Sequence, residues 1–152
     1  MYLRISCLIT LILCITACSS APRFTSGDNT RFAPKTETKN YDRYTDAAVL
    51  ETVTGTASFY SNKFNGKITY SGEVYDMHGI SAAHPVYPMG TILRITNLAN
   101  KKSIIIPVND RMPYRPDRII DLSFGCAREL NMINVGIIDV KLEVLDWGTG
   151  KK

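Results

Sequence analysis

The sequence predicts a small, mainly β protein: a barrel of short strands with one helix. Two observations lead there. Short runs rich in β-branched and aromatic residues recur from Thr56 onward, and turn-forming residues separate them. Only one segment has the pattern of a helix, so the strand–helix alternation of a parallel α/β sheet is absent.

In chain order, the strands are "TASFYS", a weak "GISAA", "GTILRITN", "SIIIPVND", a short "RIID" and the closing "GIIDVKLEVLDW". In the third run Leu93 and Ile95 alternate with Ile92, Arg94 and Thr96. In the last, Val140, Leu142 and Val144 alternate with Lys141, Glu143 and Leu145, as in a half-buried strand. Turns fall at Asn65-Gly66, Ser71-Gly72, Pro88-Met89-Gly90 and Asn97–Lys101. The helix is "SFGCARELNM", with Ser123 as N-cap and Phe124, Ala127 and Leu130 facing inward.

The N-terminus has a different composition. Arg4 precedes an apolar stretch, Ile5–Ile15, of signal-peptide length and too short to span a bilayer comfortably. Ile15-Thr16-Ala17-Cys18-Ser19 follows and looks like a bacterial lipobox, in which Cys18 becomes the acylated mature N-terminus. Two or more acyl chains anchor a protein stably without a transmembrane helix. Ser19, rather than Asp, after the cysteine resembles lipoproteins sent to the outer membrane, here facing the periplasm. Residues 19–54 are polar, without apolar periodicity, and read as a tether spanning about 30–35 Å on average. The organisation expected is a signal peptide over 1–17, a lipidated cysteine and tether over 18–54, the barrel over 55–147 and a tail over 148–152.

Of four cysteines, Cys7 and Cys14 leave with the signal peptide and Cys18 is acylated. Cys126 remains as a buried, inert thiol, and no intrachain disulfide forms. The net charge of +4 is dispersed, without a basic block, so nucleic-acid binding is not expected; a basic surface suits an anionic polymer or lipid headgroup. No metal-ligand spacing appears, and neither a metal nor another cofactor is expected.

Asp110 is the leading candidate for chemistry. Side chains alternate along a strand, so Asp110 shares a face with Ile104, Ile106 and Val108, while Arg111 shares the other with Ile105, Pro107 and Asn109. The charges of Asp110 and Arg111 then point apart, and an apolar row favours the partly desolvated carboxyl that a general acid requires. Pro107 marks an edge strand or a bulge, where a site can open. Glu73 in an exposed loop and His84 at a strand end are the further candidates, and Asp121 reads as an organiser of the helix N-terminus.

The phrases "GTASFY", "SGE", "SAAH", "P-M-GT", "R-I-TNL-N", "NDR-P" and "RIIDLS" run in order from Gly55 to about Val144. Together they resemble the rare lipoprotein A family of bacterial envelope proteins. That resemblance implies a six-stranded double-psi β-barrel with one or two short helices, and lytic transglycosylation of peptidoglycan glycan strands between N-acetylmuramic acid and N-acetylglucosamine. It places the acid of "NDR-P" at Asp110, the glutamate of "SGE" at Glu73 and the histidine of "AAH" at His84. Tyr60, Arg111 and Tyr87 are expected to contact substrate. Division-machinery proteins are candidate partners, and a monomer is expected. Met112 stands where the family usually has glycine, a change expected to narrow the cleft or alter the turn. Any septal targeting is expected to come from the barrel itself. The alternatives are a non-catalytic peptidoglycan-binding or scaffold lipoprotein, and an inverting hydrolase whose two carboxyls stand about 6.5–9.5 Å apart.

Overall fold

The computed structural model describes residues 41–150. The expected signal peptide, Cys18 and most of the tether lie outside the described residues. Six strands, β1 (Glu51–Phe59), β2 (Ala82–Ala83), β3 (Ile92–Asn97), β4 (Ser103–Asp110), β5 (Ile120–Leu122) and β6 (Ile138–Asp146), close into a barrel in the order β1-β5-β2-β4-β3-β6. The β1–β5 and β2–β4 pairs are parallel and the other four antiparallel. Closure leaves the barrel without an edge strand.

Alternation fills the interior as the sequence predicts. Leu93 and Ile95 of β3, Ile106 and Val108 of β4, and Val140, Leu142 and Val144 of β6 form one cluster with Ile120 and Leu122. Burying each such side chain contributes about 1.5–3 kcal/mol. Ile92 and Leu145, assigned to outer faces by alternation, are buried too. The weak second strand is only two residues long, and both its alanines are fully buried between β4 and β5.

The helix α1 (Phe124–Glu129) starts where Ser123 was read as its cap: Ser123 Oγ accepts from the Cys126 N–H at 3.2 Å. The same hydroxyl donates to Gly79 O at 2.6 Å, tying α1 to the preceding loop. Gly125 is required there, since a Cβ would meet His78 O at 2.3 Å. Asp121 does not organise this helix. It lies on β5, where Ser58 Oγ donates to its carboxylate and Arg118 Nε bonds it at 2.6 Å.

The first strand begins before the boundary expected at Gly55. Glu51–Ala57 pairs residue by residue with Val144–Ile138 of β6. A 3₁₀ turn over Asp42–Tyr44 precedes it, with Tyr44 Oη donating to Asp146 and Arg94 donating to Tyr44 O and Thr45 O. Backbone pairing, not apolar patterning, recruits this polar stretch into the fold.

Candidate active site

The site forms where β4 ends. Ala82 pairs with Val108 and Ala83 with Asp110, so Asn109 is one residue more than β2 can match. The shift falls at Asn109, two residues after Pro107, and Pro107 itself pairs in register with Ile92 of β3, so it marks neither an edge strand nor the bulge. Val108 N–H bonds Thr91 O on the β3 side, so the nitrogen of Pro107 faces the other way, ahead of the β2 pairing, and its missing N–H breaks no ladder bond.

Three donors converge on the half-buried Asp110 carboxylate. Tyr60 Oη donates to Oδ2 at 2.7 Å, and the backbone N–H groups of Tyr70 and Arg111 donate to Oδ1, each at 2.8 Å. Tyr60 directly follows β1, its N–H bonds Leu122 O, and its ring packs 5.0 Å from Tyr75 and 5.7 Å from Phe64. Burial, then the bond to Asp110, pushes the Tyr60 phenol far above its ordinary range, so it keeps its proton at any physiological pH.

Arg111 points away from Asp110, as alternation requires. Its Nη1 donates to His84 O at 2.7 Å and Tyr87 O at 2.9 Å, and its guanidinium lies 5.3 Å from the centre of the Tyr70 ring. Met112, beside it, is 4 % exposed and its backbone is not in the left-handed region. The side chain is thus buried and the backbone there does not require glycine.

Asn109, which the sequence reading passed over, organises the surroundings. Its Oδ1 accepts from Ser81 Oγ at 2.7 Å and Ala82 N–H at 3.2 Å, and its Nδ2 donates to Glu73 Oε2 at 2.9 Å. Glu73, exposed in its loop, is thus fixed by the neighbour of Asp110. The signal available in the sequence was a lone amide between an apolar run and an acid, too common to single out.

His84 and Tyr87 form a second cluster. Their rings stack 3.7 Å apart, and His84 Nδ1 accepts from the Tyr87 N–H at 3.0 Å, which places the proton on Nε2. Burial, with Arg111 as the second cause, depresses the imidazole to about 4. It is neutral at pH 7. Tyr87 is 8 % exposed, its ring meets Trp147 at 5.2 Å, and its hydroxyl donates to Glu51 Oε1 at 2.5 Å. That places Tyr87, expected on the substrate surface, in the packing of the barrel. The structure joins Asp110, Tyr60, Glu73 and Arg111 in one network and holds His84 and Tyr87 behind Arg111.

Among the described residues, no group of three or more His, Cys, Asp or Glu is arranged to hold a metal ion. Cys126 is buried, and burial raises its thiol pKa. It contributes to a cavity of about 330 Å³ lined also by Ile80, Ile104, Ile106 and Arg128, which contains none of the residues around Asp110.

A closed six-stranded barrel with two parallel strand pairs, bearing a carboxylate network at the end of β4, is a double-psi β-barrel protein. Residues 52–142 match the lytic transglycolase family model, and the chain belongs to that family. It is 46 % identical over 108 residues to the endolytic peptidoglycan transglycosylase RlpA of Pseudomonas aeruginosa UCBPP-PA14, covering 71 % of this chain and 31 % of the relative. With the Campylobacter jejuni protein of that name it shares 44 % identity over 126 residues, covering 82 % of this chain and 46 % of the relative. The chain thus spans less than half the length of these curated relatives. Among solved structures, the Streptomyces papain inhibitor superposes with a TM-score of 0.54 at 19 % identity, covering 66 % of this chain and all of that one. An expansin of Clavibacter michiganensis, solved with cellohexaose, gives 0.52 at 21 %, covering 67 % of this chain and 54 % of that one. These two likenesses show the fold alone.

Proposed function

We propose that the protein cleaves peptidoglycan glycan strands between N-acetylmuramic acid and N-acetylglucosamine by lytic transglycosylation. Asp110 is its acid and base. The observation that carries this is the Asp110 carboxylate at the end of β4, oriented by three donors from separate positions in the chain. Membership of the lytic transglycolase family supports it.

The geometry divides the labour of the two oxygens. Oδ1 is fixed by two backbone N–H groups, so proton traffic falls to Oδ2. There the Tyr60 hydroxyl donates to the carboxylate and can accept from the acid. Protonated Asp110 gives its proton to the glycosidic oxygen as the bond to the anomeric carbon breaks. The muramic 6-hydroxyl attacks that carbon and loses its proton to the Asp110 carboxylate. A 1,6-anhydro end forms, no water is consumed, and the acid is regenerated. Glu73, held by Asn109, positions the sugar. His84 is neutral near pH 7 and acts as scaffold, its carbonyl holding Arg111.

All these residues come from one chain, so a monomer suffices. Cys18, with the apolar stretch and small residues before it, is the proposed lipid attachment point, which puts the barrel on the periplasmic face of the outer membrane. Division-machinery proteins are its proposed partners.

The test is mass spectrometry of purified glycan strands treated with the full chain. Wild type should produce 1,6-anhydromuramyl ends, and Asp110→Asn should slow their appearance by about 10²- to 10⁴-fold while still binding strands. Reducing ends instead would point to a hydrolase. Binding without new ends would leave a non-catalytic glycan-binding protein.

A further inference from the structure

We infer that Tyr70 is the sugar-stacking platform of the site, its ring packing against the face of an N-acetylhexosamine beside Asp110. The inference rests on the glycan reading above for the identity of the sugar. Of the tyrosines around the acid, Tyr75 and Tyr87 are buried at 5 % and 8 % exposure, and Tyr60 is wedged between Phe64 and Tyr75. Tyr70 is 50 % exposed, and its own backbone N–H is bonded to Asp110 Oδ1. An exposed ring is therefore attached one hydrogen bond from the reacting carboxylate.

That ring is held in place from both sides. Its loop is closed by the Ile68–Val74 bridge and by Thr69 N–H bonding Glu73 O at 2.8 Å. Gly72, at φ +92°, turns the chain so that its N–H reaches Thr69 O. Ser71 N–H then bonds Asn109 O at 3.1 Å, pinning the loop to the end of β4. On the ring side, the Arg111 guanidinium lies 5.3 Å from the centroid and is itself fixed by the carbonyls of His84 and Tyr87. A tyrosine so constrained loses little freedom on binding, and its ring offers a flat apolar surface to the C–H face of a pyranose. The network that orients the acid also sets the distance from the acid to the platform.

The experiment measures binding and turnover separately, with the full chain and peptide-stripped glycan strands as the probe. Tyr70→Ala and Tyr70→Phe are made in the Asp110→Asn background for Kd and in wild type for KM and kcat. Tyr70→Ala should weaken binding roughly three- to tenfold and raise KM in proportion, with kcat changed less than about twofold. Tyr70→Phe should match its parent in Kd and KM, because the ring carries the effect. Unfolding midpoints verify that both variants are folded. Equal affinity of Tyr70→Ala and its parent overturns the inference. So does equal weakening by Tyr70→Phe, which would assign the effect to the hydroxyl. If wild type forms no anhydro ends while binding still depends on the ring, the lyase reading fails and the platform stands. If ends form and binding ignores the ring, the platform alone fails.

Discussion

Unfolding wild type and His84→Asn side by side across pH reads the burial of His84 directly. The imidazole falls from an ordinary 6.5 to about 4, through burial first and the Arg111 charge second. The sign follows from which state takes the proton. Well above pH 6.5, from about pH 7.5, His84 is neutral in both states and adds no pH dependence. As pH falls, the unfolded chain binds a proton that the folded protein refuses until about pH 4, so stability is lost across that window. At pH 5 the loss is about 2 kcal/mol, approaching roughly 3 kcal/mol below pH 4. For a domain of this size, 2 kcal/mol lowers the thermal midpoint by roughly 10 °C. Asparagine cannot titrate, and its side-chain oxygen can accept the Tyr87 N–H in place of Nδ1. The variant starts lower at pH 7.5, having lost the stack on Tyr87. Its carboxylates are those of wild type, so their contribution cancels. The assay is the difference in slope: between pH 7.5 and 5, wild type should lose about 2 kcal/mol more than His84→Asn by urea denaturation. Parallel curves would refute a buried neutral imidazole, and with it the assignment of His84 to the scaffold.

Two further outcomes are expected. Tyr60→Phe removes the hydroxyl from Asp110 Oδ2 and keeps the ring between Phe64 and Tyr75; kcat for anhydro-end formation should fall about tenfold or more while strand binding holds, since a hydrogen bond to a charged group contributes about 1.5–3 kcal/mol. Replacing residues 1–17 by a signal peptide that is cleaved without acylation, together with Cys18→Ala, should move the protein from the membrane fraction to the soluble periplasmic fraction and remove the acyl mass from the mature N-terminus; an unacylated wild-type N-terminus would end the lipid reading.

How much of this was legible depended on whether a residue's partners lie close in sequence. The alternation in β3, β4 and β6 is local, and it placed Leu93, Ile106 and Leu142 inside correctly. The Ser123 cap is local too, and it was found. The opening of β1 was not. Glu51, Thr52 and Thr54 look like tether because their places are set by β6, some ninety residues away. Asp121 was misassigned because proximity to the helix suggested a cap, whereas one partner, Ser58, sits 63 residues away on the neighbouring strand β1 and the other, Arg118, precedes it by three residues. At the site, strand alternation separated Asp110 from Arg111. It could not show that Tyr60 would deliver its hydroxyl to Asp110, that Asn109 would link Asp110 to Glu73, or that Tyr70 would carry an exposed ring on a backbone bonded to Asp110. Each depends on a loop or register shift that brings distant segments together. Tyr87 carried the same aromatic signal as Tyr70 and went inside, because His84 and Trp147 were there to cover it.

The pairing of β1 with β6 also has a mechanical side. A tug along the axis of β1, applied to the segment before Glu51, meets seven residue pairs loaded together in shear, not peeled apart one after another. The Tyr44–Asp146 bond and the Arg94 bonds to Tyr44 O and Thr45 O take the load first, the ladder next, and Tyr60 lies just past the far end of the strand, about 30 Å beyond Glu51 at the rise of an extended chain. A pull on that segment therefore loads the ladder before it reaches the hydroxyl that bonds Asp110.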